Sequence, residues 1–203
     1  MKDELKKIYA TALNKLTRKD LSVYQMKTYL QEKVDDKDLV DDVISLLIDR
    51  RFLNDKRLID EVITSLRSKG YGQYRIEKNL EKYQFDSQLV NSYLMDVSVK
   101  SLSDLDQAIK QIDVISYRGS KKQVVKKIQD KLIRKGFSIS QVTTSVSDDI
   151  IDYDEFDSCL LDVYKLFKHE SDEYIIKNKL YQKGYQKQTI LNALERREAN
   201  EDK

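Results

Sequence analysis

An apolar pair at positions i and i+4, closing in leucine, recurs along this chain as Met26/Leu30, Ile76/Leu80, Ile128/Leu132 and Ile176/Leu180, at spacings of 50, 52 and 48 residues. A period of that length decides architecture, because each copy is one supersecondary unit that buries its apolar face with help from its neighbours. Nine to eleven residues after each leucine a second apolar cluster follows: Leu39 and Val40, Leu89 and Val90, Val142, then Ile190 and Leu191. A longer amphipathic stretch opens each copy. Leu5, Ile8, Tyr9, Ala12, Leu13 and Leu16 share one helical stripe, as do Leu58, Ile59, Val62, Ile63 and Leu66, and Phe156, Cys159, Leu160, Val163, Tyr164 and Phe167. The stretch from Leu105 to Ile115 is a weaker version. The expectation is an all-α chain of four three-helix repeats, at residues 1–52, 53–99, 100–150 and 151–203, forming an elongated or curved array.

Turn chemistry points the same way. With no proline and five glycines in 203 residues, the chain lacks the residues that hairpins and Greek keys need at their corners. Lys135-Gly136-Phe137 and Lys183-Gly184-Tyr185 place glycine just past a helix end, where a left-handed backbone is wanted. Ser22 with Gln25 and Ser138 with Gln141 have capping-box spacing, and Asn54-Asp55, Asp86 and Ser171-Asp172 offer side-chain oxygens at helix starts. The stretch from Asp148 to Asp157, with six acids and no base, reads as the most linker-like segment.

Composition excludes several functions. One cysteine and one histidine cannot build a typical zinc site, so no metal or other cofactor is expected. The single thiol closes no internal disulfide, and the start MKDELKKIYA has neither a signal core nor a membrane span, which gives the expectation of a cytoplasmic protein without membrane association. Cys159 and His169, placed in one predicted helix, are ten residues apart. That is about 15 Å along the axis, out of reach for a nucleophile and its base. Cys159 instead falls on the apolar stripe, and His169 near the helix end suits the last carbonyls. No enzymatic site is expected.

Charge is more informative than its sum. The net charge is only +2, yet Tyr117–Gly136 holds eight bases, among them Arg118, Lys121, Lys122, Lys126 and Lys127, against one acid, Asp130. If the helix starts early, Arg118, Lys122 and Lys126 share a face opposite the buried side of Val124, Ile128 and Leu132. One unit earlier, Arg67, Lys69, Arg75 and Lys78 are interleaved with Tyr71 and Tyr74. Basic and aromatic residues in matching registers suit a phosphate backbone or an acidic protein groove. A solvated lysine-rich helix is the plainer alternative for the later cluster. Of the thirteen tyrosines, Tyr71, Tyr74 and Tyr185 stand next to turns and are expected at the surface.

The segments Ala12-Leu13-Asn14-Lys15-Leu16 with Arg18, Ser22 through Leu30, Phe52-Leu53-Asn54-Asp55 and above all Arg67-Ser68-Lys69-Gly70-Tyr71-Gly72-Gln73-Tyr74-Arg75-Ile76 resemble the RecX family of regulatory proteins. The likeness covers about residues 8–95. Gln73 stands where the family commonly has proline, and Leu58-Ile59 where it usually has Phe-Ala. The resemblance implies tandem three-helix repeats and a non-enzymatic modulator of the RecA recombinase. Such a modulator lies in the groove of the RecA filament on single-stranded DNA and mainly inhibits its extension, ATP hydrolysis and strand exchange during recombination and repair. By position it implies contact roles for Lys69, Tyr71, Arg75 and Arg67. Whether single-stranded DNA is touched directly or through RecA stays open, and a monomer is expected. The alternative is a helical-repeat protein–protein adaptor without nucleic-acid association.

Overall fold

A computed structural model describes residues 2–201 of the chain. Within them are twelve α-helices and no strand. The helices run α1 (Lys2–Leu16), α2 (Val23–Gln31), α3 (Lys37–Asp49), α4 (Asp55–Ser68), α5 (Gln73–Leu80), α6 (Ser87–Val99), α7 (Ser101–Lys110), α8 (Lys121–Arg134), α9 (Ile139–Ser145), α10 (Phe156–Phe167), α11 (Glu173–Gln182) and α12 (Lys187–Glu201). Short 3-10 turns follow α5 and α7. No described helix is long and apolar enough to cross a membrane.

The periodic apolar pairs are the innermost side chains: all eight, from Met26 to Leu180, are at most 1% exposed. They anchor four apolar clusters met in succession along the chain. The first joins Ile8 and Ala12 to Met26, Leu30, Val40, Val43 and Leu47. The second joins Leu58, Ile59 and Ile63 to Ile76, Leu80, Phe85 and Val97. Leu105 and Ala108 pack with Ile128, Leu132 and Val142 in the third, and Cys159 and Val163 with Ile176, Leu180 and Ile190 in the fourth. By backbone proximity the chain divides into two compact units, Met1–Asp104 and Leu105–Lys203.

Helix ends follow their local chemistry. Ser22 and Ser120 form full capping boxes with Gln25 and Gln123, while Asp36, Asn54, Asp86, Ser138 and Asp172 each accept a backbone N–H of the first turn. At the end of α4, Gly70 takes φ +69° while its N–H reaches the Arg67 carbonyl at 2.8 Å and that of Tyr71 reaches Leu66 at 3.0 Å. These paired bonds are the Schellman closure, which needs a left-handed residue where a Cβ is costly. Gly136 and Gly184 close α8 and α11 by the same pattern, at φ +97° and +88°. At the end of α3 Arg51 does so with φ +61° despite its side chain.

Each compact unit contains the same latch, built on a buried serine. In the first, Ser22 Oγ donates to the Tyr83 carbonyl at 2.5 Å, and the Val23 N–H donates to Asp55 Oδ1 at 2.9 Å. Burial of the Asp55 carboxyl raises its pKa, and the Val23 bond opposes that only in part. In the second unit Ser120 Oγ donates to the Lys183 carbonyl at 2.7 Å, while Glu155, only 5% exposed, accepts from the Lys121 N–H at 2.7 Å and the Gln186 N–H at 2.8 Å. One carboxylate thus satisfies orphan N–H groups where α8 and α12 begin, and fixes those two starts against each other. Glu155→Ala is expected to lower stability by about 1–3 kcal/mol, because buried donors lose their acceptor. Asp157→Asn, on the exposed side of the same turn, is expected to change it by less than about 0.5 kcal/mol. Urea titration followed by circular dichroism measures both.

Candidate functional site

The basic-aromatic set after α4 is assembled by one turn and one short helix. The Gly70 closure reverses the chain, Gly72 caps α5 in extended conformation, and α5 buries Ile76 and Leu80 against the second cluster. The opposite side of α5 is thereby left to Tyr74, 62% exposed, with Arg75 and Lys78 beside it. The Arg75 guanidinium lies 5.7 Å from the Tyr71 ring centre and the Lys78 ammonium 6.0 Å from that of Tyr74, so cations and aromatic faces are paired on one small surface. Lys78 also bonds Glu81 at 2.9 Å, and that bond raises the pKa of its ammonium. Lys69 is exposed at the end of α4 and Tyr71 is half-buried.

Arg67 is placed differently from its neighbours in sequence. Its side chain is 20% exposed, with Nε 3.0 Å from Asp104 and Nη1 4.0 Å from Asp96. It faces inward as the centre of an ion-pair cluster and contributes little open surface. Nothing in the local spacing signals this, because both acids come from more than 25 residues downstream.

In the later cluster α8 starts at Lys121, with Ser120 as its cap, so Arg118 stands ahead of the helix and off its face. The Arg118 guanidinium is held by the carbonyls of Ile115 and Tyr117 at 2.9 and 3.0 Å. Lys122, Lys126 and Lys127 are exposed and Lys121 is half-covered, while Val124, Ile128 and Leu132 are fully buried as the stripe requires. Lys127 Nζ reaches back to the Arg118 carbonyl at 2.7 Å, bringing those two residues together. Lysines in a first helical turn oppose the helix dipole, so Lys121 and Lys122 add positive surface charge without adding helix stability.

Two other expectations are corrected. Tyr185 is buried, 4% exposed, with its hydroxyl 3.0 Å from Asp162 Oδ2, because the glycine closure folds it back onto the fourth cluster. Burial first and the Asp162 bond second push its phenol pKa far up. His169 lies beyond α10, which stops at Phe167, so it does not share a helix with Cys159. Cys159 is fully buried among apolar side chains, and desolvation pushes its thiol up to about 12, which leaves it protonated at neutral pH.

Sequence reasoning passed over Glu155, the most constrained carboxylate of the second unit, by taking its acidic stretch for a linker. The available signal was the serine-x-x-glutamine box at Ser22 and again 98 residues on at Ser120, followed by an acid 33 residues later at Asp55 and 35 residues later at Glu155.

Successive small helical clusters, with a basic-aromatic patch on α5 and a lysine-rich one on α8, define an all-helical protein that offers surface sites. A regulatory protein RecX of Acinetobacter baylyi is 27% identical over 60% of this chain and 85% of its own length. That of Lactococcus lactis subsp. cremoris is 28% identical over 84% of this chain, which spans only 64% of that relative. The crystal structure of RecX from Lactobacillus salivarius matches 71% of this chain and 95% of its own, with a TM-score of 0.57 at 23% identity, and shares the fold. No family model matches. The chain is thus similar to regulatory proteins RecX over most of its length, at 28% and 24% identity across 84% and 90% of it, and shares the fold of a RecX structure.

Proposed function

We propose that this chain is a non-enzymatic regulator of the RecA recombinase, binding the RecA filament on single-stranded DNA and inhibiting its extension, ATP hydrolysis and strand exchange. The observation that carries the reading is the α5 surface, where Tyr74, Arg75 and Lys78 stand exposed beside Lys69 in the segment that resembles the family most. Lys122, Lys126 and Lys127 on α8 offer a second cationic surface.

Physically, four small three-helix units in series can engage several sites on a polymer at once. Weak contacts then reinforce one another, because each bound unit raises the effective concentration of the next. Inhibition follows as a population effect: a protein that binds one filament state better than the others stabilises it and obstructs addition or rearrangement. No catalytic group is required. DNA-dependent ATP hydrolysis by RecA is expected to slow when the chain is added at substoichiometric amounts. An unchanged rate at equimolar protein would contradict the proposal.

A further inference from the structure

We propose that the cleft between the turn at residues 114–118 and the first half of α10 is a docking site for a cationic amphipathic segment of a partner protein. The cleft has a volume of about 550 Å³. That lies within the range of ligand pockets, roughly 300–1,000 Å³. Its floor is aliphatic and aromatic, from Val114, Leu160 and Tyr164, and two large side chains at it remain open to water: Ile115 is 83% and Leu161 51% exposed. Apolar groups left at a concave surface are the usual anchors for a partner's side chains.

Charge selects the occupant. Asp152, Asp154 and Asp157 line the cleft, against a single base, Arg118, whose guanidinium is already engaged by the Ile115 and Tyr117 carbonyls. Three carboxylates beside an apolar floor repel a phosphate backbone and complement a helix with leucine-like anchors flanked by lysine or arginine. The walls are tied together before any partner arrives. The Tyr153 hydroxyl lies 3.2 Å from the Gly119 carbonyl and 2.9 Å from Ser158 Oγ, so the turn and α10 are held at a fixed separation. A preformed cleft avoids part of the ordering cost of binding. The chain thus has, close to its lysine-rich helix, a second surface of opposite sign suited to protein and not to nucleic acid.

The test uses neither recombinase nor DNA, so its failure leaves the function proposed above standing. A fluorescein-labelled peptide of about fifteen residues, lysine and leucine in helical amphipathic spacing, is titrated with the full chain and followed by anisotropy. Saturable binding is expected, with none for the same peptide carrying glutamate in place of lysine. Asp152→Asn with Asp157→Asn is expected to weaken it about tenfold, as is Leu161→Ser, while Asp148→Asn with Asp149→Asn, an equal loss of charge outside the cleft, changes it less than about twofold. Circular dichroism checks that each variant is folded. Equal weakening by both charge pairs would reduce the effect to general attraction and overturn the proposal, as would absence of saturable binding. Sedimentation showing that the chain self-associates, and that Leu161→Ser abolishes this, would give the cleft to a second copy and overturn it as well.

Discussion

Leu80→Ala is expected to cost about 2–5 kcal/mol of stability, enough to unfold a marginal helical cluster at moderate temperature. Leu80 is 1% exposed and packs with Ile59 and Ile63 of α4, Ile76 of α5, Val97 of α6 and Phe85 from the connection between α5 and α6. Removing its branched end takes apolar surface from that contact and leaves a cavity that the surrounding side chains fill only in part. Eight-residue α5 has no stability of its own to fall back on, since isolated helices shorter than about 12 residues are marginal in water. The α5 surface should therefore lose order together with the cluster beneath it. A loss below about 0.5 kcal/mol in urea unfolding would show that the second apolar cluster does not hold the unit together.

The second large effect is functional. Lys69→Ala combined with Arg75→Ala is expected to leave helicity and thermal midpoint nearly unchanged, because both side chains are exposed and lie off the buried stripe of Ile76 and Leu80. Inhibition of RecA ATP hydrolysis should fall about tenfold or more. Two cations are lost from one patch, and Arg75 also gives up its place over the Tyr71 ring. The residual inhibition should weaken less steeply with salt than that of the unaltered chain, since fewer ionic contacts are broken. A double variant that keeps full potency would remove the α5 patch from the interface, whereas one that has lost its helicity would contradict the surface assignment.

Much of the fold was legible in the sequence because it depends on short-range periodicity. The pair Ile128/Leu132 and its three counterparts are recognisable from their i, i+4 spacing, and burial of all eight follows from one stripe per helix. The glycines at 136 and 184 announce the helix ends they close, and Ser22-x-x-Gln25 announces a helix start. What escaped is set by contacts distant in sequence. Glu155 looks like one more acid in an acidic run until Lys121 and Gln186, more than 30 residues away on either side, are brought to it. Arg67 reads as a surface base until Asp104 turns it inward, and Tyr185 reads as an exposed turn residue until the closure at Gly184 tucks it under Asp162. The end of α10 at Phe167 carries neither glycine nor proline, which is why His169 was placed inside it.

For the candidate site the same division holds. That α5 would show its basic-aromatic side follows from where Ile76 and Leu80 must go, and the exposure of Tyr74, Arg75 and Lys78 agrees. Arg118 would share the α8 face only if the helix began three residues earlier than it does; the Ser120 capping box places the boundary at Lys121. The apolar cleft with its three acids was invisible, because Ile115, Asp152 and Leu161 belong to separate segments that only the tertiary fold brings together.

Sedimentation of RecA filaments assembled on single-stranded DNA, with the chain added, tests the regulatory reading most directly. The chain is expected in the pellet with the filaments and in the supernatant when centrifuged alone, with the Lys69→Ala, Arg75→Ala variant shifted toward the supernatant. A chain that stays in solution beside intact filaments at moderate salt would contradict the account.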